Sequence, residues 1–152
     1  HSLKILEKNG YKFNLIVLGD GSLRRKAEDF SKVNKINTEF EGFVENAQDY
    51  LKKCDFVFVS RYLGILEALA YKKFVFAHYN NLIKKDYLEM APFAKYISIS
   101  ADHKQLSSSI KYFLKNESER ENMINNGYIW VKNETWDDMV NLYLKLWKVY
   151  HL

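Results

Sequence analysis

The sequence predicts an open, doubly wound α/β domain built on a mainly parallel sheet, and three observations lead to that prediction. Apolar runs of strand length alternate with helical patterns along most of the chain. Those runs are apolar on both faces, as strands are in a parallel sheet that helices cover on each side. The chain has 152 residues, of which 47% are hydrophobic and 28% charged, so it suits one packed core and not two. We therefore predict a single domain over residues 1–152, with extra helices at its carboxyl end.

The elements of the first half follow in chain order. Leu3, Ile5 and Leu6 lie on one face of a predicted helix, which Gly10 ends. The apolar run FNLIVL predicts a buried strand, and the glycines after it break that strand. Ser22 is placed to cap the next helix, because a serine hydroxyl accepts hydrogen bonds from first-turn amides. The predicted order is helix 1–9, strand 13–18, helix 23–33, strand 38–44 with an interruption at Gly42, and helix 46–53.

In the second half the run DFVFVS is the most convincing buried strand, and the run FVFAH predicts another. A helix rich in Leu and Ala, starting at Gly64, joins them. The predicted order is strand 55–60, helix 64–72, strand 74–78, strand 95–99, and helices 104–115, 118–131 and 136–151. Sheets of this kind bind ligands beyond the carboxyl ends of their strands, so the loops to search follow Leu18, Gly42, Ser60 and His78.

Composition excludes several classes of function. Cys54 is the only cysteine, which excludes a disulfide framework and a cysteine-based zinc site. No apolar run approaches the ~18 residues that a membrane-spanning helix needs. The net charge is +4, but the basic residues are scattered as pairs with acidic residues between most of them. A nucleic-acid-binding surface would gather them on one stripe, so we expect a phosphate-bearing small ligand and no nucleic acid.

The chain begins at His1 inside a helical pattern, without an initiator Met or a signal-peptide pattern. We therefore expect a fragment of a longer protein, or a His1 that derives from a tag, and a cytoplasmic location on the absence of targeting signals.

The loop Gly19-Asp20-Gly21-Ser22 is the first candidate ligand site. Glycines between a strand and a helix let a ligand approach the backbone, and a helix N-terminus favours an anionic phosphate. The alternative is a tight turn with positive φ and a helix cap. A dinucleotide-binding fingerprint would need a third glycine where Arg24 stands, and the pattern of a P-loop is absent.

The second candidate segment runs from Ser60 through Arg61 and Gly64 to Glu67, between a strand and a helix. If the helix starts at Gly64, the amides of Ile65 and Leu66 are free to meet a diphosphate. A carboxylate at position 67 can accept two hydrogen bonds from the vicinal hydroxyls of a ribose. The alternative is that Glu67 complements the helix dipole and Arg61 is a solvated surface charge.

The order of these segments resembles the carboxyl-terminal half of the retaining glycosyltransferases of family 4, the GT-B enzymes also called the glycosyl transferases group 1 family. The resemblance covers nearly the whole chain and is strongest over residues 13–77. It rests on the Gly19-Asp20-Gly21 turn, the element at residues 40–44, Asp55 and Ser60 of the DFVFVS strand, the helix motif Glu67-Ala68-Leu69-Ala70, and Trp136 opening the last helix.

The resemblance implies a Rossmann-like domain that binds the sugar-nucleotide donor, beside an amino-terminal domain, on the same or a separate chain, that binds a glycan or lipid acceptor. It implies that Glu67 holds the donor ribose, and that amides from Gly64 to Leu66 lie near the phosphates. The donor-nucleotide residues that it implies are Gly19, Gly21, Phe43, Val44, Ser60, Arg61, Gly64, Ile65, Leu66 and Glu67. It implies no metal or other cofactor, and it leaves open a peripheral membrane association through the acceptor.

The chain departs from the family pattern in ways that affect chemistry. The family pairs two glutamates as Glu-x7-Glu, but Val59 stands at the first position and Leu63 lies near where that Glu would fall. The loop after Ser60 is shorter than usual, and Asn80-Asn81 replace a common Gly-Gly before the next helix. The Arg/Lys pair that neutralises the leaving diphosphate would lie upstream of His1. We therefore expect the chain alone to be an incomplete enzyme with its catalytic residues unassigned.

Two other interpretations stay open. A degenerate copy would keep the fold as a nucleotide- or partner-binding module, and an oxidoreductase with a similar sheet is a further alternative that the incomplete glycine fingerprint disfavours. His78 is a structural loop histidine or a ligand of phosphate or sugar hydroxyls. Cys54 is interpreted as a packed thiol, and no second histidine or acid at ligand spacing indicates a metal. We interpret Asp86, Glu89 and Asp102 as solvated helix-end charges, and Leu142, Leu146 and Trp147 as core or as a face toward the missing domain.

Overall fold

Five strands, all parallel, and eight helices make up the part of the chain that the computed structural model describes, residues 1–149. The α/β class with helices on both sides of parallel strands is confirmed. The elements are α1 (Ser2–Lys8), β1 (Leu15–Leu18), α2 (Arg24–Val33), β2 (Thr38–Gly42), α3 (Ala47–Lys53), β3 (Phe56–Phe58), α4 (Tyr62–Ala70), β4 (Phe74–His78), α5 (Leu82–Glu89), a 3₁₀ turn (Ala94–Tyr96), β5 (Ser98–Ser100), α6 (His103–Lys115), α7 (Glu117–Val131) and α8 (Trp136–Val149).

The strands form two sheets where the sequence predicts one. β1 pairs with β2, while β4 lies between β3 and β5 in a separate three-stranded sheet. Phe56 is in register with Phe74, and Phe76 with Ser98. β3 is an edge strand of this sheet, and Phe58 at its end is 44% exposed. The strand that the sequence predicts over residues 55–60 is present as Phe56–Phe58, but the expectation that it is buried is wrong, since no residue of β3 is fully buried.

The buried strand is β4, whose first four residues are all buried. Its side chains alternate between two apolar clusters, as the period of a strand requires. Phe74 and Phe76 face one cluster, with Leu6, Ile110, Phe113 and Ile124. Val75 and Ala77 face the other, with Ile65, Ala68, Leu69, Leu88, Phe93, Ile97 and Val131. Each fully buried Phe contributes about 1.5–3 kcal/mol of transfer free energy, so this strand anchors helices on both faces.

Several boundaries differ from the predicted ones for local reasons. α4 begins at Tyr62 and not at Gly64, because Arg61 is the last residue with extended backbone. Ser22 does not cap α2: the helix enters from a turn in which the Arg24 amide donates to the Gly21 carbonyl, and its N-cap position, Leu23, makes no side-chain hydrogen bond.

The segment after β4 also differs from the prediction. The fifth strand is Ser98–Ser100, because residues 94–96 form a 3₁₀ turn first. The sequence did not predict α5, because its apolar residues do not form one continuous buried stripe along the helix. Leu88 is fully buried, whereas Leu82 and Ile83 are exposed.

None of the α8 side chains that the structure describes is buried. All eight of its large apolar side chains up to residue 147 are exposed: Trp136, Met139, Val140, Leu142, Tyr143, Leu144, Leu146 and Trp147. Leu142, Leu146 and Trp147 are therefore not core residues of this domain. The alternative, that they form a face toward another domain, stays a prediction. The predicted helix end at His151 lies outside the described residues. Over residues 1–149, no helix has both the length and the apolar composition to cross a membrane.

Candidate functional site

The first candidate loop, residues 19–22, leads from β1 to α2 and contacts the carboxyl end of β2. Gly19 has a φ of +107°, a left-handed conformation that favours glycine. Its amide donates to the Gly42 carbonyl at 2.5 Å, so the two strand ends are held together. The Asp20 carboxylate accepts from the Gly21 amide at 2.7 Å, which folds the side chain back onto the loop. The tight turn that the sequence predicts is therefore present.

Arg24 organises this loop, a role that the sequence reasoning missed. Its Nε donates to Glu28 at 2.8 Å, one Nη lies 3.5 Å from Asp20, and the other donates to the Phe40 carbonyl at 3.2 Å. The hydrogen bond to Glu28 is the main cause that raises the pKa of the guanidinium above its ordinary value. Arg24 stands where a dinucleotide fingerprint has its third glycine, so a large side chain with three hydrogen-bond partners occupies that position.

Open space remains at the tip of the first loop. Gly21 is exposed, and a Cβ built on it would meet no atom within 4 Å. Phe43, just after β2, is 86% exposed, while Val44 is half-buried. The structure thus brings Gly19, Gly21, Phe43 and Val44 together at one strand edge and leaves an aromatic ring uncovered there.

The second loop follows β3 and is tied to the end of β4. The Ser60 hydroxyl donates to the His78 carbonyl at 2.9 Å and accepts from the His78 amide at 2.8 Å. Nδ1 of His78 lies 3.0 Å from the Ser100 carbonyl oxygen. Because a carbonyl can only accept, Nδ1 of His78 donates in this bond. Three neighbouring strand ends are therefore linked through Ser60 and His78.

The free amides of α4 are not the ones that the sequence predicts. The Ile65 amide donates to the Arg61 carbonyl at 2.9 Å. Leu66 is the fifth residue of the helix, where the amide belongs to the helix's own hydrogen-bond ladder. The expectation that Ile65 and Leu66 present free amides is therefore wrong, because the helix begins two residues earlier than Gly64.

The first turn of α4 presents a different pair of amides. The Tyr62 amide donates to the Tyr87 hydroxyl at 2.7 Å. The amides of Leu63 and Gly64 have no hydrogen-bond partner among the residues that the structure describes. The Arg61 side chain is exposed beside them. This turn retains two donors and the positive end of a nine-residue helix dipole.

Gly64 has a packing role in addition to its place in this turn. A Cβ at position 64 would lie 2.7 Å from Cγ2 of Val59, closer than nonbonded atoms approach. The sequence pattern predicts that this glycine starts a helix. In the structure it lies inside α4, where the absence of a side chain allows close contact between α4 and the end of β3.

A helix that starts at Gly64, as the sequence predicts, would place Glu67 in its first turn, but Glu67 is the sixth residue of α4 and lies in the second turn. It is exposed, on the same side of the helix as Leu63 and Ala70, which are also exposed. With a rise of about 1.5 Å per residue, it stands roughly 7.5 Å along the axis from Tyr62. Dipole effects are concentrated in the first turn, so complementing the dipole explains Glu67 poorly.

Lys84 and Tyr87 of α5 complete this region, and the sequence reasoning missed both. The Lys84 ammonium donates to the Ser60 carbonyl and lies 4.2 Å from the centroid of the Tyr87 ring. Asn81 caps α5 by accepting from the Lys84 amide at 2.8 Å. Residues three apart on a helix share a face, so the spacing of Lys84 and Tyr87 would have paired them had α5 been recognised.

The remaining candidates have structural partners. Asp102 accepts from the amides of Lys104 and Gln105, and those bonds lower the pKa of its carboxyl, the Gln105 bond most. Cys54 is half-buried, and burial raises the pKa of its thiol, as expected of a packed side chain. No group of three or more His, Cys, Asp or Glu among the described residues is arranged to hold a metal ion.

The structure places the predicted site residues in two groups. One group, at the ends of β1 and β2, contains Gly19, Gly21, Phe43 and Val44, and the other, after β3, spans residues 60–67. Among the described residues, no hydrogen bond joins the two groups. Two shallow depressions, of about 580 and 800 Å³, lie elsewhere. The first is lined by the end of α2 and the start of β2, and the second by the turn between α6 and α7.

Comparison with known proteins gives one family match. The model of the family described as glycosyl transferases group 1 matches residues 1–130. No curated protein matches the chain significantly.

Solved structures of low sequence identity share the fold. Sucrose-phosphate synthase from Thermosynechococcus elongatus is 18% identical with a TM-score of 0.72, over 97% of this chain and 42% of that one. The catalytic domain of cholesterol-α-glucosyltransferase from Helicobacter pylori is 21% identical with a TM-score of 0.65, over 87% and 84% of the two chains. HepE of Anabaena, solved in complex with UDP, is 14% identical with a TM-score of 0.72, over 91% and 41%. The chain therefore spans about two fifths of the length of the first and third of these proteins.

Proposed function

The chain belongs to the glycosyl transferases group 1 family, and from that premise we propose that it is the donor-nucleotide half of a retaining glycosyltransferase. The reaction would move a sugar from a nucleoside-diphosphate sugar to a hydroxyl of a glycan or lipid acceptor. The bond between the anomeric carbon and the diphosphate breaks, the acceptor oxygen takes the place of the phosphate oxygen on the same face, and the acceptor proton leaves with the diphosphate.

The observation that carries this proposal is the exposed face of α4. The unpaired amides of Leu63 and Gly64 are donors at the positive end of the helix, where an anionic diphosphate is favoured. Glu67 lies one turn further along the same exposed face and has two acceptor oxygens for a ribose diol. Phe43 offers an uncovered ring beside the first loop on which a base can stack. The UDP in the structure of HepE supports a nucleotide ligand for this fold.

The amides and the helix dipole would act on the leaving group. Negative charge grows on the diphosphate as the glycosidic bond breaks, and fixed donors aimed at that charge lower the barrier without rearranging. Glu67 would hold the ribose and so fix the position of the diphosphate against the amides. The proposal assigns no metal or cofactor to these residues and assigns the acceptor to a second domain.

The apolar surface of α8 supports that second domain. Trp136 and Trp147 are 76% and 59% exposed, and Tyr143 lies between them along the same helix. Large contiguous apolar surfaces of this kind are seldom left in water. We propose that the acceptor-binding domain, on the same or a separate chain, covers this helix and closes the donor surface.

Calorimetric titration of the 152-residue chain with UDP, GDP, ADP and NAD tests the donor assignment, each with Mg²⁺ and with EDTA. We expect millimolar or tighter binding of one diphosphate, no binding of NAD, and no dependence on Mg²⁺. Binding of NAD alone, or of none of the four, would contradict the proposal.

Glu67→Ala tests the ribose contact within the same assay. Loss of hydrogen bonds to a charged acceptor should weaken the bound diphosphate by about 5- to 150-fold. Asp29→Asn, on the exposed surface of α2, is the matched control and should bind as the wild type does. Unchanged affinity in a folded Glu67→Ala variant would remove Glu67 from the site.

A non-catalytic nucleotide-binding module is the second candidate, and Leu63 is the observation that favours it. This side chain is apolar and 59% exposed, near where the family places an acid that contacts the donor sugar. Such a module would bind the free diphosphate and the sugar nucleotide equally well. A donor-sugar site would instead bind the sugar nucleotide more tightly, so the ratio of the two affinities separates the candidates.

A further inference from the structure

The loop between β3 and α4 is held by side chains of α5, an element that lies after β4 in the sequence. The strand ladder ends where the Val59 amide donates to the Phe76 carbonyl at 3.1 Å. Beyond that point, the Ser60 carbonyl receives the Lys84 ammonium and the Tyr62 amide donates to the Tyr87 hydroxyl at 2.7 Å. Each end of the loop is therefore fixed by one residue of α5.

Lys84 and Tyr87 act as one unit. The ammonium stands 4.2 Å from the centroid of the Tyr87 ring, a distance at which cation and ring attract each other. The unit is built on a fixed helix, because Asn81 caps its first turn and Leu88 in its last turn is fully buried. A positional error at α5 would therefore move both contacts together.

We infer that Lys84 and Tyr87 are positioning residues for the donor site, which rests on the proposed function. By fixing the Ser60 carbonyl and the Tyr62 amide, they set the direction of the next two amides, those of Leu63 and Gly64. Catalytic and binding groups must be held to within fractions of an ångström, and supporting hydrogen bonds provide that. The loop after Ser60 is short, so few contacts of its own could do the same.

This role predicts an effect on binding without a comparable effect on folding. Lys84 is half-buried and Tyr87 is 40% exposed, so neither fills the core. Tyr87→Phe removes the hydroxyl and keeps the ring, whereas Lys84→Met removes the charge and keeps the stem. Lys84→Arg keeps a donor and a charge and should restore what Lys84→Met loses.

Matched controls are present in the chain. Lys85 is the next residue of α5 and pairs with Glu89 at 3.2 Å, so Lys85→Met removes a lysine from the same helix without touching the loop. The Tyr112 hydroxyl donates to Glu119 at 2.6 Å, between α6 and α7, so Tyr112→Phe removes a comparable bond elsewhere.

Two readouts test the inference. The first is amide hydrogen exchange of residues 60–65 in the free chain, and the second is the dissociation constant of UDP, GDP or ADP, whichever the wild type binds. Tyr87→Phe should speed exchange of the Tyr62 amide by about 2- to 10-fold. It and Lys84→Met should weaken nucleotide binding by about 3- to 10-fold, while Lys84→Arg and the two controls stay near wild type.

The outcomes separate this inference from the proposed function. Faster exchange with unchanged affinity would overturn the positioning role while leaving the proposed function intact. Unchanged exchange in Tyr87→Phe would overturn the contact itself. If the wild type binds none of the three nucleotides, the proposed function fails and the positioning role fails with it. Exchange alone then shows whether α5 still holds the loop.

Discussion

Replacing Gly64 by alanine separates a packing role of this glycine from a ligand-binding role. An alanine Cβ would lie 2.7 Å from Cγ2 of Val59 but 3.9 Å from its Cβ. Forcing a methyl into packed surroundings costs about 1–3 kcal/mol, and the better helix propensity of alanine offsets up to about 1 kcal/mol. We expect Gly64→Ala to lower the free energy of unfolding by about 1–2 kcal/mol. For a chain of this length, that is a fall in melting temperature of roughly 2–8 °C.

Urea denaturation measures this loss, and two further variants control it. Gly21→Ala meets no atom within 4 Å and should change the free energy of unfolding by less than about 0.5 kcal/mol. In a Val59→Ala background the offending methyl is gone, so Gly64→Ala should become neutral or stabilising. The double-mutant cycle should therefore give a coupling of about 1–2 kcal/mol. An equal loss in both backgrounds, or no loss in either, would refute the packing argument.

The same variants test the ligand role of Gly64. If the double variant recovers stability and nucleotide binding together, the glycine is needed for packing alone. If it recovers stability and still fails to bind the nucleotide that the wild type binds, the glycine also leaves room for the ligand to approach the backbone.

Two other predictions concern stability. Hydrogen bonds from the amides of Gln105 and Lys104 lower the pKa of Asp102 in the folded chain, so this carboxylate stabilises the fold above its ordinary pKa of 3.8. The difference in unfolding midpoint between wild type and Asp102→Ala should therefore be constant near neutral pH and shrink as the pH falls through the lowered folded pKa. A difference that grows on acidification would contradict it. Removing residues 135–152 should shift the melting temperature by no more than about 2–4 °C, because none of the described α8 side chains is buried. A loss of cooperative unfolding in scanning calorimetry would contradict that expectation.

The predicted bounds of β4 match the observed ones, whereas β3 was predicted to be buried and is not. Both predictions rest on local sequence patterns, which do not distinguish the two strands. The runs FVFAH and DFVFVS are alike in composition, and both are typical of a strand inside a parallel sheet. β4 is buried because it lies between two other strands and has an apolar cluster on each of its faces, whereas β3 lies at the edge of the sheet. Which strand is central depends on contacts between distant parts of the chain, and no window of a few residues contains that information.

The missed parts of the candidate site have the same cause. The partner of the Tyr62 amide is Tyr87, which is 25 residues away in sequence. α5, which carries it, lacks the amphipathic stripe that identifies a surface helix, because Leu82 and Ile83 at its start are 77% and 84% exposed. The predicted start of α4 was wrong because, in the sequence, a glycine required for packing against Val59 cannot be distinguished from a glycine that starts a helix.

The donor assignment nevertheless does not depend on that boundary. Moving the start of α4 from Gly64 to Tyr62 changes which amides are free, from Ile65 and Leu66 to positions two residues earlier. It does not change which residues share a face, because four residues make about one turn wherever the helix begins. Leu63 and Glu67 stay on one exposed face, with donors first and the carboxylate one turn later. Phosphate and then ribose follow in the same order along a nucleotide, so the periodicity of α4 carries the proposal and the position of its first residue does not.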